Sequence, residues 1–308
     1  MADGANLHIA DRRMWEYFSS YPIEELELHD NGRTVPRILF KDLSPGAMLD
    51  LARAAKIESQ CDPLREIEVY RDVLSPHGIS APKLMAWTAD PAAARYWLFL
   101  EKIDGTPLWQ VGDLAVWQAA AKWLGKMHSA MAGHVRNLLE RPRLMRYDGA
   151  AYHRWIDRAL GYAAQPNVPP ERSRKIHQLA KTAGDVAALI DALPQTFVHG
   201  EFYASNVMIE KPAVVRPVDW EMAGVGPGLI DLAALSAGQW TDDQRRDIVG
   251  AYRESCTIDY AEFDRALIAC RLFLAVHCLA WSPAWSPPKE HACDWLEEAI
   301  RLTDALGF

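Results

Sequence analysis

The sequence predicts an α+β protein of two lobes, a small antiparallel-sheet lobe over residues 1–103 and a mainly helical lobe over residues 104–308. Before Gly105 the chain shows short strand-like runs separated by turn residues. After Gly105 apolar residues recur at three- and four-residue steps, which is the period of an amphipathic helix. A chain of 308 residues also exceeds the length at which a single hydrophobic core usually divides.

The N-terminal lobe is predicted from a hairpin, a helix and a pair of strands. Asn-Gly between apolar runs is a strong hairpin signal, and the turn Asp30-Asn31-Gly32 separates Leu26–His29 from Val35–Leu43. Asp62-Pro63 then opens a helix that Ser75-Pro76 closes. The lobe is completed by this helix over residues 62–74 and by strands over residues 83–87 and 96–101.

Helices dominate the remainder of the chain. Asp113 is the predicted N-cap of a helix whose apolar stripe includes Trp117, Leu124 and His128. Six further helices are predicted over residues 150–163, 171–193, 229–237, 241–255, 260–281 and 291–306, with short strands over residues 196–198, 207–209 and 214–218.

Composition and charge exclude several classes of protein. Half of the residues are hydrophobic and 24% are charged, which is the balance of a globular protein without disorder. The formal charge of −8 offers no basic surface to nucleic acid, and no apolar stretch approaches the ~18 residues of a membrane span. Five scattered cysteines do not suggest a disulfide framework. We therefore expect a cytoplasmic protein with neither a nucleic-acid nor a membrane partner.

Polar residues of the C-terminal half fall at the intervals that phosphoryl transfer requires. The run Val198-His199-Gly200-Glu201 places a carboxylate after a short apolar strand, Asn206 follows five residues later, and Asp219 follows the strand over 214–218. Such a reaction needs a carboxylate near the acceptor hydroxyl and oxygen ligands for Mg²⁺. Because Asn206 and Asp219 flank one predicted hairpin, we expect them to lie side by side and to share the metal.

Residues of the N-terminal lobe complete the predicted site. Lys41 ends the second hairpin strand, where its side chain either reaches the α and β phosphates of a nucleotide or faces solvent. An inward lysine needs an acidic partner, and the helix over 62–74 offers Glu66 as first choice and Glu68 as second. The backbone around Glu101 and Ile103, between the lobes, is the predicted position of the adenine edge.

These motifs resemble the signatures of the aminoglycoside phosphotransferase and choline kinase-like family. The resemblance is carried by His199 to Asn206, by Val218 to Glu221 and by Gly226 to Ala233, and it extends from about Leu26 to the C-terminus. It implies a protein-kinase-like fold, ATP or GTP as phosphate donor, Mg²⁺, and a small hydroxylated molecule as acceptor.

The resemblance also implies a role for each motif position. It places Glu201 at the catalytic base, which is an aspartate in the related kinases, and it makes Asp231 and His199 supports of the catalytic loop. The remaining assignments are Asn206 and Asp219 at the metal, Lys41 at the phosphates and Glu66 as the partner of the lysine. His128 matches another recurrent family position, but it lies on an apolar helix stripe and is interpreted as structural.

Two departures from the family's pattern leave a second interpretation open. Glu201 is one methylene longer than aspartate, which moves the carboxylate by roughly 1 Å. The run Met14 to Pro22 contains no glycine, so the phosphate-covering strand pair is expected to be shortened or rebuilt. The first interpretation is an active small-molecule phosphotransferase. The alternative is a catalytically impaired pseudokinase, or a small-molecule binding protein, of the same fold.

The size of the acceptor is predicted mainly from the short interval between two motif residues, Asp219 and Asp231. Eleven residues separate Asp219 from Asp231, which is too few for the long segment with which a protein kinase binds a polypeptide, so a small molecule is favoured. Tryptophans near the C-terminus are expected to fill the helical core, with contact to a cationic or aromatic acceptor as the other interpretation. They are Trp240, Trp281, Trp285 and Trp295.

Overall fold

The computed structural model describes residues 7–15, 20–30, 33–34, 37–211, 213–281 and 293–308. The chain forms two compact units. The first consists of Met1–Thr106 and Met208–Glu221, and the second of Pro107–Val207 and Met222–Phe308. The predicted boundary after residue 103 lies close to Thr106. The segment Met208–Glu221, which the prediction assigned to the helical lobe, clusters with the N-terminal unit.

The strands are short except in the first unit. In chain order they are β1 (Leu7–Met14), β2 (Ile23–Asp30), β3 (Arg33–Thr34), β4 (Ile38–Asp42), β5 (Leu84–Asp90), β6 (Arg95–Glu101), β7 (Thr106–Pro107), β8 (Met145–Arg146), β9 (Thr196–Val198), β10 (Val207–Glu210), β11 (Val214–Pro217) and β12 (Gly224–Gly226).

The long helices belong to the second unit. In chain order the helices are α1 (Asp50–Ala55), α2 (Arg65–Val69), α3 (Leu114–Ala132), α4 (Val135–Leu139), α5 (Gly149–Ala163), α6 (Pro170–Lys181), α7 (Ala183–Asp191), α8 (Leu229–Leu235), α9 (Asp242–Ser255), α10 (Phe263–Trp281) and α11 (Trp295–Leu306). The predicted α+β class, with an antiparallel sheet before a mainly helical region, is confirmed.

The first unit is built on an antiparallel sheet in the order β1-β2-β4-β6-β5. The predicted hairpin is present as the pairing of β2 with β4, in which Ile23 lies opposite Lys41. Its Asn31-Gly32 turn lies outside the described residues. On the other side of β4, Lys41 lies opposite the fully buried Leu98. Since directly paired residues share a face of the sheet, Lys41 is on the buried face.

The strand pair at the N-terminus is longer than the sequence predicted. β1 pairs with β2 from Leu7 opposite Asp30 to Met14 opposite Glu24, so the expectation of a shortened pair is wrong. The sequence gives little sign of β1 because this edge strand is exposed and charged, and a cross-strand pair of Arg12 with Glu24 at 2.6 Å accompanies its backbone bonds. Residues 16–19, between the two strands, lie outside the described residues.

The helix predicted over residues 62–74 is present in two parts. α2 runs from Arg65 to Val69 and continues as a π-helical turn over Tyr70–Leu74. The buried residues Ile67, Val69 and Tyr70 anchor this segment in the core of the first unit. Glu66 lies on the same segment and is itself buried, at 2% exposure.

The second unit is organised around α10. Because α10 is apolar on nearly all sides, it forms a core helix, and α5, α8 and α11 pack against it. None of the described helices is long and apolar enough to cross a membrane. The predicted cap of α3 is confirmed, since the Asp113 carboxylate accepts a bond from the Ala115 amide at 2.9 Å.

One predicted helix is wrong in its length. Residues 171–193 form two helices, α6 and α7, which meet at Thr182. The Thr182 hydroxyl donates to the Leu179 carbonyl at 3.0 Å. A hydroxyl that bonds to nearby backbone in this way competes with the helical hydrogen-bond pattern, and an apolar period alone does not reveal such a break.

Two small sheets carry the polar motifs. β9 is fully buried and pairs with β12, with Val198 opposite Gly224. The loop that starts at His199 therefore follows directly after β9. β10 and β11 form the predicted hairpin and pair in the order β11-β10-β7. Asn206 directly precedes β10, and Asp219 lies shortly after β11.

Candidate active site

In the first unit, Lys41 is held between two carboxylates. Its Nζ atom lies 2.8 Å from Glu66 Oε2 and 2.6 Å from Asp219 Oδ1. The Lys41 side chain is 7% exposed, so a solvent-facing lysine is excluded. Of the two predicted helix partners, the first choice, Glu66, makes this ion pair.

Burial and charge act in opposite directions on this cluster. Burial lowers the pKa of Lys41, but Asp219 and Glu66 together raise it well above its ordinary value, so the lysine keeps its proton. Burial raises the pKa of Glu66 to about 7 against the opposing charge of Lys41. Of the two carboxylates, that of Asp219 lies closer to the lysine.

Asp219 adopts an unusual backbone conformation. Its φ angle is +62°, in the left-handed region that costs a residue with a side chain roughly 1–2 kcal/mol. Strain of this kind persists only where surrounding contacts hold it, and it is concentrated at functional sites. The contact with Lys41 is one such restraint.

A second buried ion pair lies two residues further along the chain. Lys56 Nζ is 2.8 Å from Glu221 Oε1, and the Ser20 hydroxyl donates to the same oxygen at 2.7 Å. Although burial raises the pKa of Glu221, the charges of Lys41 and Lys56 lower it to about 2. The sequence analysis missed this pair. Glu221 is part of the Asp219-Trp220-Glu221 motif, but no motif or periodic pattern around Lys56 indicates that this lysine is buried.

In the second unit, Asp231 braces the predicted catalytic loop. Its carboxylate is fully buried and accepts bonds from the backbone amides of His199 at 2.7 Å and Gly200 at 2.8 Å. His128 lies 3.1 Å from the same carboxylate through Nε2 and 2.9 Å from the Tyr252 hydroxyl through Nδ1. Since a carboxylate only accepts, Nε2 carries the proton and Nδ1 accepts from Tyr252. Asp231 thus holds the backbone of two consecutive residues, and His128 is buried beside the same carboxylate.

The loop also closes on itself. The Glu201 amide donates to His199 Nδ1 at 3.3 Å, and the Asn206 side-chain amide donates to the Glu201 carbonyl at 3.0 Å. The bond from Asn206 uses its nitrogen, which leaves its side-chain oxygen as the atom suited to a metal. The Glu201 side chain is half-buried. Its negative charge adds to the effect of burial in raising the pKa of Tyr203 and of the Cys278 thiol.

A sequence profile described as the phosphotransferase enzyme family matches residues 26–266, which is more than half of the chain. The chain belongs to this family.

Several solved structures share the fold. A choline kinase from Cryptosporidium parvum Iowa II is 18% identical, with 96% of this chain and 88% of that chain covered and a TM-score of 0.61. The macrolide 2'-phosphotransferase MphH from Brachybacterium faecium is 16% identical over 93% and 96% of the two chains, with a TM-score of 0.60. The streptomycin and ATP complex of APH(2")-IIa is 14% identical over 97% and 91%, with a TM-score of 0.59. The predicted protein-kinase-like fold is confirmed.

One curated protein shows a further similarity. The Arabidopsis thaliana protein named "Probable acyl-CoA dehydrogenase IBR3" is 24% identical over 216 residues. The match covers 66% of this chain but 25% of that protein. The chain therefore spans about a quarter of the length of this relative.

The backbone around Glu101 and Ile103, predicted to contact an adenine edge, is already hydrogen-bonded in part. The Glu101 amide donates to the Lys83 carbonyl at 2.9 Å, and the Glu101 side chain pairs with Arg216 at 2.5 Å. The amide of Glu101 is therefore not available to an adenine edge, whereas Ile103 lies beyond the end of β6. Ile103 remains the predicted contact.

Two of the C-terminal tryptophans, Trp240 and Trp281, make contacts with other aromatic rings. Trp117 and Trp240 pack edge to face at 4.6 Å, as the core interpretation requires. His277 lies between Trp155 at 4.4 Å and Trp281 at 5.6 Å. Trp285 lies outside the described residues.

Substitution of Gly200 by alanine is expected to destabilise the protein by about 2 kcal/mol or more. Gly200 has a φ angle of +85°, and a Cβ atom there would overlap the Tyr147 hydroxyl and approach the Met222 carbonyl to 2.5 Å. Thermal unfolding of Gly200→Ala measures the loss. Gly161→Ala is the matched control, because Gly161 lies in α5 with nothing within 4 Å of its Cβ position, and it should stabilise slightly. Equal melting temperatures for Gly200→Ala and the natural protein would contradict this description of the loop.

Stability should fall in acid because of His277. Burial, assisted by the charge of Arg158, lowers the pKa of His277 to about 4 from 6.5. Between these values the unfolded chain binds the proton more readily, so this contribution is complete above pH 6.5 and is lost as the pH falls towards 4. His277→Phe should remove up to about 3 kcal/mol of this dependence. Urea unfolding of both proteins between pH 4.5 and 7 measures it, with the exposed His177→Phe as control. An unchanged slope in His277→Phe would refute the assignment.

Proposed function

We propose that this protein is a nucleotide- and Mg²⁺-dependent phosphotransferase that acts on a hydroxyl group of a small molecule. The observation that carries the proposal is the buried Lys41, held at hydrogen-bond distance from both Glu66 and Asp219. A lysine kept charged and fixed in this way is suited to the α and β phosphates of ATP or GTP. Phosphoryl transfer depends mainly on such positioning and on charge compensation.

The proposed metal ligands are Asn206 and Asp219. An amide oxygen and a carboxylate are hard oxygen donors, and Mg²⁺ in nucleotide enzymes is typically held by one or two carboxylates together with substrate phosphates and water. No group of three or more His, Cys, Asp or Glu suited to a metal occurs among the described residues. When bound, Mg²⁺ would offset charge on the transferred phosphate.

Glu201 is the proposed catalytic base. In the proposed reaction the acceptor oxygen bonds to the γ phosphorus, the bond from that phosphorus to the bridging oxygen breaks, and the nucleoside diphosphate leaves. Glu201 orients the acceptor hydroxyl and takes its proton. Two bonds fix the Glu201 backbone, whose amide donates to His199 and whose carbonyl accepts from Asn206. They support a defined position for the longer side chain.

A small molecule is the proposed acceptor. The residues that follow Asp219 are occupied at once by β12 and α8, which leaves no long segment to bind a polypeptide. The names of the related structures include choline, macrolide and streptomycin, so the acceptor class within this fold is broad. We also propose a cytoplasmic location, because five cysteines scattered over a long chain do not suggest a disulfide framework.

Replacement of Glu201 by alanine should lower turnover by about 10²–10⁴-fold, which is the usual contribution of a general base. Nucleotide affinity should be unchanged, because the lysine cluster is intact. The assay follows transfer of labelled γ phosphate from ATP or GTP to choline, streptomycin and uncharged polyols. Glu201→Asp should lose about 10²-fold, since its carboxylate is roughly 1 Å short.

The same assay separates the enzyme from its alternative. Mg²⁺-dependent nucleotide binding with no transfer to any acceptor would favour a pseudokinase or binding protein. The observation that motivates this alternative is the natural glutamate at position 201, where the related kinases have an aspartate. Unchanged turnover in Glu201→Ala would exclude this residue as the base.

A further inference from the structure

The segment Asp219-Trp220-Glu221 is restrained at more points than the lysine cluster requires. Lys41 contacts the Asp219 carboxylate. The Glu221 carboxylate receives Lys56 and Ser20, and the Glu221 carbonyl accepts a bond from Arg65 Nη1 at 3.0 Å. All of these groups belong to the first unit.

Lys56 is unusual among these contacts because it lies outside any motif. It directly follows α1, and its side chain is only 2% exposed. A buried lysine is costly unless it is paired, and its pairing with Glu221 at 2.8 Å meets that condition. The pair is separate from the Lys41 pair with Glu66, although Arg65 and Glu66 are neighbours on α2.

Lys41 and Lys56 have different roles under the proposed function. When a nucleotide binds, Lys41 is shared with its phosphates, so its contact with Asp219 at 2.6 Å is weakened as a restraint. Asp219 must nevertheless keep its strained φ angle of +62°. Lys56 has no role at the phosphates and continues to hold Glu221, two residues from Asp219.

We propose that Lys56 is a positioning residue, which acts through Glu221 to hold Asp219 in the backbone conformation that presents its carboxylate to Mg²⁺. The part of this proposal that names the metal rests on the proposed function. The part that concerns the restraint of residues 219–221 does not.

The test uses the double variant Lys56→Met/Glu221→Gln. Lys56→Met alone would leave Glu221 as a buried charge without its cation and would be expected to unfold, whereas the double substitution removes both charges at similar volume. Lys56→Arg is the conservative variant that retains the cation and should keep the behaviour of the natural protein.

The first readout is hydrogen–deuterium exchange of the nucleotide-free protein. In the double variant, exchange in peptides over residues 214–222 should be about tenfold faster, which corresponds to about 1.4 kcal/mol. The β6 peptide over Arg95–Glu101, in the same unit, should be unchanged. Unchanged exchange over 214–222, or equal acceleration in β6, would overturn the proposal, because the first shows no restraint and the second shows general loosening.

The second readout is the Mg²⁺ concentration at half-maximal nucleotide binding. It should rise about tenfold in the double variant while affinity without Mg²⁺ is unchanged, and a midpoint equal to that of the natural protein would overturn the role at the metal. If the natural protein binds no nucleotide, the phosphotransferase proposal fails. The exchange readout then still decides whether Lys56 restrains Asp219.

Discussion

The contact of Lys41 with Glu66 and Asp219 is the interaction on which the first unit depends. Removal of a charged lysine from water is expensive, and partners at 2.8 and 2.6 Å offset that cost. The contact also ties together three separate parts of the chain, since Lys41 is on β4, Glu66 on α2 and Asp219 after β11. Truncation of any one of the three leaves a buried charge incompletely paired, so each residue constrains the other two.

A single buried carboxylate has the corresponding role in the second unit. Asp231 accepts bonds from two consecutive backbone amides, His199 and Gly200, and from the ring of His128. These bonds fix the point at which the chain leaves β9 and enters the loop that carries Glu201. Both units therefore fix polar side chains by the same physical means, because a buried charged group is satisfied only when its hydrogen-bond partners are in place.

The sequence predicted those parts of the site that carry a periodic or motif signal. It predicts Lys41 at a strand end and Glu66 on the helix over residues 62–74, and the motif positions predict Asp231 and His199 as supports of the loop. Lys56 could not be found in this way, because its position after α1 has neither a periodic pattern nor a motif, and its partner Glu221 is distant in sequence. The sequence does not predict β1, because this exposed edge strand is held by backbone hydrogen bonds and its charged side chains show no apolar alternation. The break at Thr182 depends on one hydroxyl that bonds to backbone.

Calorimetric titration of the protein with ATP and GTP, with and without Mg²⁺, tests the central claim most directly when it is combined with Lys41→Met. Lys175→Met is the control, because Lys175 lies on α6 and pairs with Glu297 on the surface. We predict Mg²⁺-dependent binding to the natural protein and to Lys175→Met, and a loss of at least about tenfold in affinity in Lys41→Met. No binding of either nucleotide at millimolar concentration, or equal affinity of Lys41→Met and the natural protein, would contradict the assignment of the lysine cluster to a nucleotide.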